Sequence, residues 1–317
     1  MRIAIWGAGA VGIGLASALA RPGERVELIA RDPATRDALA TRGIHRSGLF
    51  GEVRVPPEQL SLWDDPARLA EEPPDWLLVC TKAFASPEVA RALTPLAEHL
   101  QTTRLLLCQN GWGNEAPFLP FWPRERLFHA RIITGFQRLR PADVEITAHA
   151  EPIALGSIFG IAVDELTPLA ARLAEGGLPT QTCDDMQAAL WAKMLYNCAL
   201  NPLGALARRR YGELVDDPTT RALIEAVVEE IFAVLAWSPY AVVWPTAEDY
   251  LESFYRDLIP PTRNHESSML QDLRAGRPTE IEALCGAVER LAGELGIETP
   301  VVSALAVLVR AAQGTPG

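Results

Sequence analysis

Basic charge is what this chain is short of. Its 317 residues carry 29 Lys plus Arg against 40 Asp plus Glu, a formal net charge of −11. A general nucleic-acid binder, or a protein held on an anionic membrane, needs a basic face. Both classes are therefore excluded, although a local basic pocket for a small phosphorylated ligand is not. Cysteine is sparse too: Cys80, Cys108, Cys183, Cys198 and Cys285 are odd in number, form no C-x-x-C pair, and in four cases of five sit in apolar runs. That pattern predicts reduced, buried thiols in a cytoplasmic protein. The five histidines (His45, His99, His129, His149 and His265) show neither H-x-x-x-H nor H-E-x-x-H spacing, so no metal site is expected. Long hydrophobic runs are missing as well, since the apolar stretch at 301–309 is too short to span a bilayer.

The N-terminus needs more care. Residues 3–20 carry no charge, follow Arg2, and end in Ala18-Leu19-Ala20, which has the form of a signal-peptidase site. Gly7, Gly9, Gly12 and Gly14 interrupt that run at spacings that serve another purpose. Residues 2–6 read as a buried strand. Gly7-Ala8-Gly9-Ala10-Val11-Gly12 is a complete G-x-G-x-x-G. A small-residue helix and a second strand at 25–30 follow. The motif alone is weak, but strand, glycine turn, helix and strand in about thirty residues make a dinucleotide-binding signature. The first glycine permits the tight turn, the second lets the backbone approach a pyrophosphate, and the third lets helix and strand pack closely. The phosphates then meet free N–H groups at the helix N-terminus. The competing reading is a glycine-rich turn without a ligand.

The end of the second strand sorts the cofactor. An NAD site usually places an acidic residue there for the ribose 2′-hydroxyl. Here Arg31 stands at that point, and its planar fork of donors suits a 2′-phosphate. Asp32 follows, but Asp32-Pro33 reads as the N-cap and first position of a helix over 34–42. NADP(H) is therefore expected over NAD.

Further along, buried strands are expected at 76–80 and 105–108, and helices at 86–100 and 163–175. Residues 127–156 turn to a β pattern expected to finish the sheet with antiparallel strands. Continuous apolar strands alternating with helices predict a parallel sheet covered on both faces. Ligands bind outside the carboxyl ends of such strands. The glycine turn, Arg31, Lys82 and Asn110 all fall there, although Lys82 could be plain surface charge and Asn110-Gly111 an ordinary turn. Beyond Asp184 no strand is expected. Helices are predicted at 186–208, 218–236, 246–257, 265–275, 279–295 and 300–312, and residues 314–317 are expected to fray. The fold class is thus α/β plus all-α: a Rossmann-type domain over 1–184 and a helical domain over 185–317.

The first long helix of the second domain carries Lys193, Asn197 and Asn201 at four-residue spacing, hence on one stripe. Its flanks, Leu190, Trp191, Met194, Leu195 and Leu200, are apolar. A lone polar stripe ordinarily faces solvent. This one directly follows a nucleotide-binding domain, where a cleft would form, and is expected to face that cleft. Asn201 is the least regular member, because Pro202 disfavours helical geometry at the residue before it and a kink or end is expected there.

Taken together, these residues resemble the 2-dehydropantoate 2-reductase (ketopantoate reductase) family. The resemblance spans essentially the whole chain. Its points are the N-terminal G-x-G-x-x-G, Arg31, Thr81-Lys82, Gln109-Asn110-Gly111, Trp191-Ala192-Lys193-Met194 with Asn197 and Asn201-Pro202, Ser267-Ser268-Met269-Leu270-Gln271-Asp272, and Thr279-Glu280-Ile281. It implies NADPH-dependent reduction of 2-dehydropantoate to (R)-pantoate, on the route to pantothenate and coenzyme A. The family's catalytic lysine and glutamate fall on Lys193 and Glu280. Its substrate-binding amides and hydroxyl fall on Asn197, Asn201 and Ser268, and its 2′-phosphate contacts on Arg31 and Lys82. Asn110 matches the asparagine near the nicotinamide, so it counts toward both cofactor and substrate.

The chemistry suits the residue types. Hydride reaching a ketone carbon leaves negative oxygen, which a positioned ammonium can stabilise and protonate. Pro278 is expected to open the last long segment, placing Glu280 in a first helical turn. The chain departs from the family at Cys285, where many relatives have asparagine, and in the bulky stretch Trp237–Trp244. Both bear on the substrate more than on the reaction. The alternatives are reduction of a different small 2-oxo acid and a non-catalytic NADP-binding regulator. The expected partner is a small 2-oxo acid, with no nucleic acid and no membrane, and a homodimer is the assembly to test.

Overall fold

Short, almost wholly apolar runs build the first unit of the chain. The computed structural model describes residues 1–313, so the tail expected to fray lies outside the described residues. Two compact units are present. Met1–Gln109 and Asn114–Met186 make the first; Asn110–Gly113 joins the residues from Gln187 onward to make the second. The expected boundary after residue 184 lies two residues from this division, but nothing in the sequence indicated that 110–113 belongs with the helical part.

In the first unit the order is β1 (Ile3–Trp6), α1 (Ala10–Leu19), β2 (Val26–Ile29), α2 (Pro33–Arg42), β3 (Ile44–Gly48), β4 (Val53–Val55), β5 (Leu60–Trp63), α3 (Arg68–Glu71), β6 (Trp76–Val79), α4 (Ser86–Leu93) and β7 (Arg104–Leu107). There follow β8 (Leu127–Arg131), β9 (Thr134–Arg140), β10 (Asp143–His149), β11 (Ile153–Gly156), α5 (Thr167–Glu175) and β12 (Thr180–Thr182). Eight strands form one sheet in the order β12-β11-β8-β7-β6-β1-β2-β5. From β5 to β8 every pairing is parallel, β11 runs antiparallel to β8, and β12 is parallel to β11. The central strands β1, β2 and β6 are buried at every position, as a sheet covered on both faces requires.

The expected single sheet needs correction. β3, β4, β9 and β10 form a second, four-stranded sheet in the order β4-β3-β10-β9. Its strands carry His45, Arg46, Arg54, Arg138 and Arg140, so their hydrophobic pattern is diluted. This sheet covers α1, which is buried continuously from Gly12 to Leu19. A helix packed on all sides loses the usual apolar–polar alternation. The small side chains of α1 thus serve packing as well as the glycine turn, and the uncharged run at 3–20 is strand, turn and buried helix. The edge strands β5 and β12 were also not anticipated.

The second unit contains α6 (Met186–Ala207), α7 (Tyr211–Asp216), α8 (Pro218–Trp237), α9 (Ala247–Ser253), α10 (Ser268–Arg274), α11 (Cys285–Leu295) and α12 (Pro300–Gln313), with a π-turn over Phe254–Leu258 after α9. Its core gathers Trp191, Leu195, Cys198, Val227, Ile231, Phe254 and Val302, among others. Two expectations fail here. α6 does not end at Asn201 but continues through Pro202 to Ala207. Proline removes one helical hydrogen bond, yet Leu200, Leu203 and Ala205 on either side are buried in the core, and that burial holds the helix. The helix expected from 279 begins only at Cys285, because residues 279–284 fold into consecutive turns in which Ala283 N and Leu284 N both donate to Glu280 O. Among the described residues no helix is long and apolar enough to cross a membrane.

Candidate active site

The dinucleotide cradle lies in the first unit. β1 runs into Gly7, whose φ of 113° is open to glycine, and its N–H donates to Ile29 O at 3.0 Å. A Cβ on Gly7 would lie 2.8 Å from the backbone of Cys80 and Thr81, and one on Gly12 only 1.9 Å from Gly7 O. Beside Gly9, by contrast, there is nothing within 4 Å, so the approach from outside is clear. Gly9 caps α1 without any side-chain acceptor, which leaves the first-turn N–H groups of Ala10, Val11 and Gly12 for an anion. Next to this turn is a cavity of about 140 Å³ lined by Gly7, Ala8, Ile29, Arg31, Thr81 and Glu88. These residues fit a dinucleotide: a bare helix end for the pyrophosphate and a guanidinium for a 2′-phosphate.

Asp32 caps α2, accepting from Thr35 N at 3.1 Å and from the Thr35 hydroxyl. That hydroxyl is the main reason its carboxyl is held below the usual range. Lys82 stands just beyond β6, half-buried, at the start of a short 3₁₀ turn.

The second unit holds the polar stripe. Asn197 and Asn201 are only 8% and 5% exposed, so a solvated outer face is excluded. Lys193 Nζ donates to Asn110 Oδ1 at 2.6 Å, and Asn110 Nδ2 donates to Glu280 Oε2 at 3.2 Å. The two neighbours fix which way the amide points: its oxygen faces an ammonium and its nitrogen a carboxylate. Asn110 reaches this place because Gly111, at φ 96°, packs its Cα flush against residue 283; a Cβ there would lie 2.3 Å from Ala283 O. Trp112 N then donates to Ala283 O at 2.8 Å, fastening the segment to the turn that carries Glu280. Glu280 is 7% exposed and lies before α11, not in a helical first turn as expected.

The other candidates divide. Asn197 has no hydrogen-bond partner for its amide among the described residues, although the residue is almost buried. Asn201 is engaged, since the Tyr211 hydroxyl donates to its Oδ1 at 2.6 Å. Ser268 is the first residue of α10, and the capping role belongs to Ser267, whose hydroxyl accepts from Leu270 N. Cys285 does not take up an asparagine's hydrogen bonds. It is fully buried, and its contact with Cys198, together with burial, pushes the Cys198 thiol well up. The bulky stretch is in part plain packing: Tyr240 stacks on Trp191 and meets Trp112 edge-on, and Trp244 meets Tyr250, while Trp237 is 77% exposed. Tyr211 and Glu88 escaped sequence reasoning. Both contact a candidate residue from a separate element, and no local pattern signals such a contact.

A Rossmann-type sheet with a bare helix end, and a lysine that donates to an amide held in turn by a carboxylate, are the parts of a dinucleotide-dependent oxidoreductase. The model of the ketopantoate reductase PanE/ApbA family matches residues 3–159, and that of its C-terminal part matches 185–313. The chain is 33% identical to the 2-dehydropantoate 2-reductase of Aquifex aeolicus, over 98% of this chain and 96% of that protein. It is 30% identical to that of Halobacterium salinarum, over 99% of each. The crystal structure of 2-dehydropantoate 2-reductase from Geobacter metallireducens superposes with a TM-score of 0.86 at 28% identity, covering 98% of this chain and 100% of that one. The chain belongs to the ketopantoate reductase family.

Proposed function

We propose that this protein reduces 2-dehydropantoate to (R)-pantoate with NADPH, and that Lys193 is the general acid. The observation that carries the reading is the line Lys193–Asn110–Glu280. When bound, the reduced nicotinamide supplies the hydride. Lys193 Nζ stabilises the charge that collects on the ketone oxygen and gives it a proton. Asn110 Oδ1 aims the ammonium, and Glu280 holds the amide in that orientation. Asn197 offers an unpartnered amide to the substrate's carboxylate or hydroxyl. Asn201 has its Nδ2 left to donate, and Ser268 supplies a hydroxyl. Ala8, Gly9, Ala10, Val11 and Gly12 present backbone N–H groups to the pyrophosphate, Gly7 shapes the turn that carries them, and Arg31 and Lys82 take the 2′-phosphate.

A second reading keeps this chemistry on a different small 2-oxo acid. It is favoured by the Trp112–Trp191–Tyr240 cluster, two of whose members lie two residues from Asn110 and Lys193. A substrate panel separates the two: NADPH oxidation is followed with 2-dehydropantoate and other 2-oxo acids. Preference for another acid sinks the first reading, and no oxidation with any acid sinks both and leaves a non-catalytic regulator. The reading is of a cytoplasmic enzyme with reduced thiols, and sedimentation equilibrium tests the homodimer.

A further inference from the structure

The cavity beside the glycine turn has two charged groups among its lining residues, and they are paired with each other. Arg31, at the end of β2, reaches Glu88, in the first turn of α4, with Nη1–Oε1 at 2.5 Å. Both side chains are about half exposed, so the pair is open to exchange with a ligand. The acidic residue that would ordinarily follow β2 is spent elsewhere, since the Asp32 carboxylate caps α2. Glu88 brings a carboxylate to the same cavity from another element.

We infer that Glu88 is a specificity-determining residue that restrains this site's preference for the phosphorylated dinucleotide. The inference rests on the dinucleotide reading of the cradle. Facing a 2′-hydroxyl, the Glu88 carboxylate accepts a hydrogen bond from the ribose while it neutralises Arg31. Facing a 2′-phosphate, Arg31 has to leave Glu88 for the phosphate. Glu88 is then left beside a group bearing roughly 1.5 to 2 negative charges. The site accordingly binds both cofactors, and the carboxylate narrows the gap between them. A carboxylate in a first helical turn also suits the helix dipole, and that role alone would change stability without changing cofactor choice.

The test is calorimetric titration of the wild type and Glu88→Gln with NADPH and with NADH, with no 2-oxo acid present, so that it is independent of the substrate. The expected result is that Glu88→Gln shifts the ratio of the two dissociation constants toward NADPH by about tenfold at low salt, the scale of one charge removed near the phosphate. The shift shrinks as salt screens it, and Glu88→Ala moves the ratio in the same direction. An unchanged ratio, or a shift toward NADH, overturns the inference while leaving the dinucleotide reading in place. Failure of the wild type to bind either cofactor overturns both.

Discussion

A neutral amide aims a lysine ammonium without itself cancelling the charge. Asn110 holds Lys193 Nζ from one side and is itself held by Glu280. Lys193→Ala is therefore expected to lower kcat by about 10²–10⁴-fold, the usual worth of a positioned acid. NADPH affinity should stay near wild type, because the cradle residues belong to the other unit. Single-turnover kinetics beside an NADPH titration checks both parts, and retained turnover would refute the role. At this scale the sequence was informative about residue types but not about partners. Lys193, Asn197 and Asn201 were legible from four-residue spacing. That Asn110 stands between Lys193 and Glu280 was not, since these residues are 83 and 170 positions from Asn110.

Among the elements, α6 sets the second unit, and its wall includes groups that titrate. Asn201 is held by Tyr211, whose N–H donates to His265 O and whose ring meets the His265 ring edge-on at 5.2 Å. Burial pushes the His265 pKa below its ordinary value. The unfolded chain then takes up this proton more readily than the folded one. The corresponding stability is fully present above the unfolded value of about 6.5 and is lost as pH falls through the folded value. Melting temperature should fall on acidification from about pH 7 toward pH 5, with a smaller fall in His265→Gln. Equal falls would show that other groups, such as His149, whose pKa burial also lowers, dominate. Helices with clear apolar periodicity were legible at this scale. The second sheet was not, because β9 has a largely exposed, polar face and β3 a buried arginine, Arg46. The helix expected at 279 was misplaced because Pro278 reads as a helix start, whereas the chain spends six residues in turns first.

For the molecule as a whole, the dinucleotide should act as a folding ligand. NADPH at a hundredfold excess over its dissociation constant is expected to stabilise the protein by about 2.7 kcal/mol, visible as a higher melting temperature. Arg31→Ala should lose most of that shift with NADPH and little of it with NADH. Equal losses would remove the 2′-phosphate assignment from Arg31. With a net charge of −11 the overall field does not favour a polyanionic cofactor, so the proposed attraction is local, at the helix end and Arg31.

Read alone, the residue order was enough for the two-part architecture, the glycine turn, the family resemblance and the polar stripe of α6. Each of these is local, written in spacing along one strand, turn or helix. Folding decided the rest: the attachment of 110–113 to the helical unit, the Asn110 bridge, the pairing of Arg31 with Glu88, the burial of Cys285 and the continuation of α6 through Pro202. All are contacts between distant segments or contests between local preference and core burial. Such outcomes depend on what packs against each residue, and periodicity along the chain does not record it.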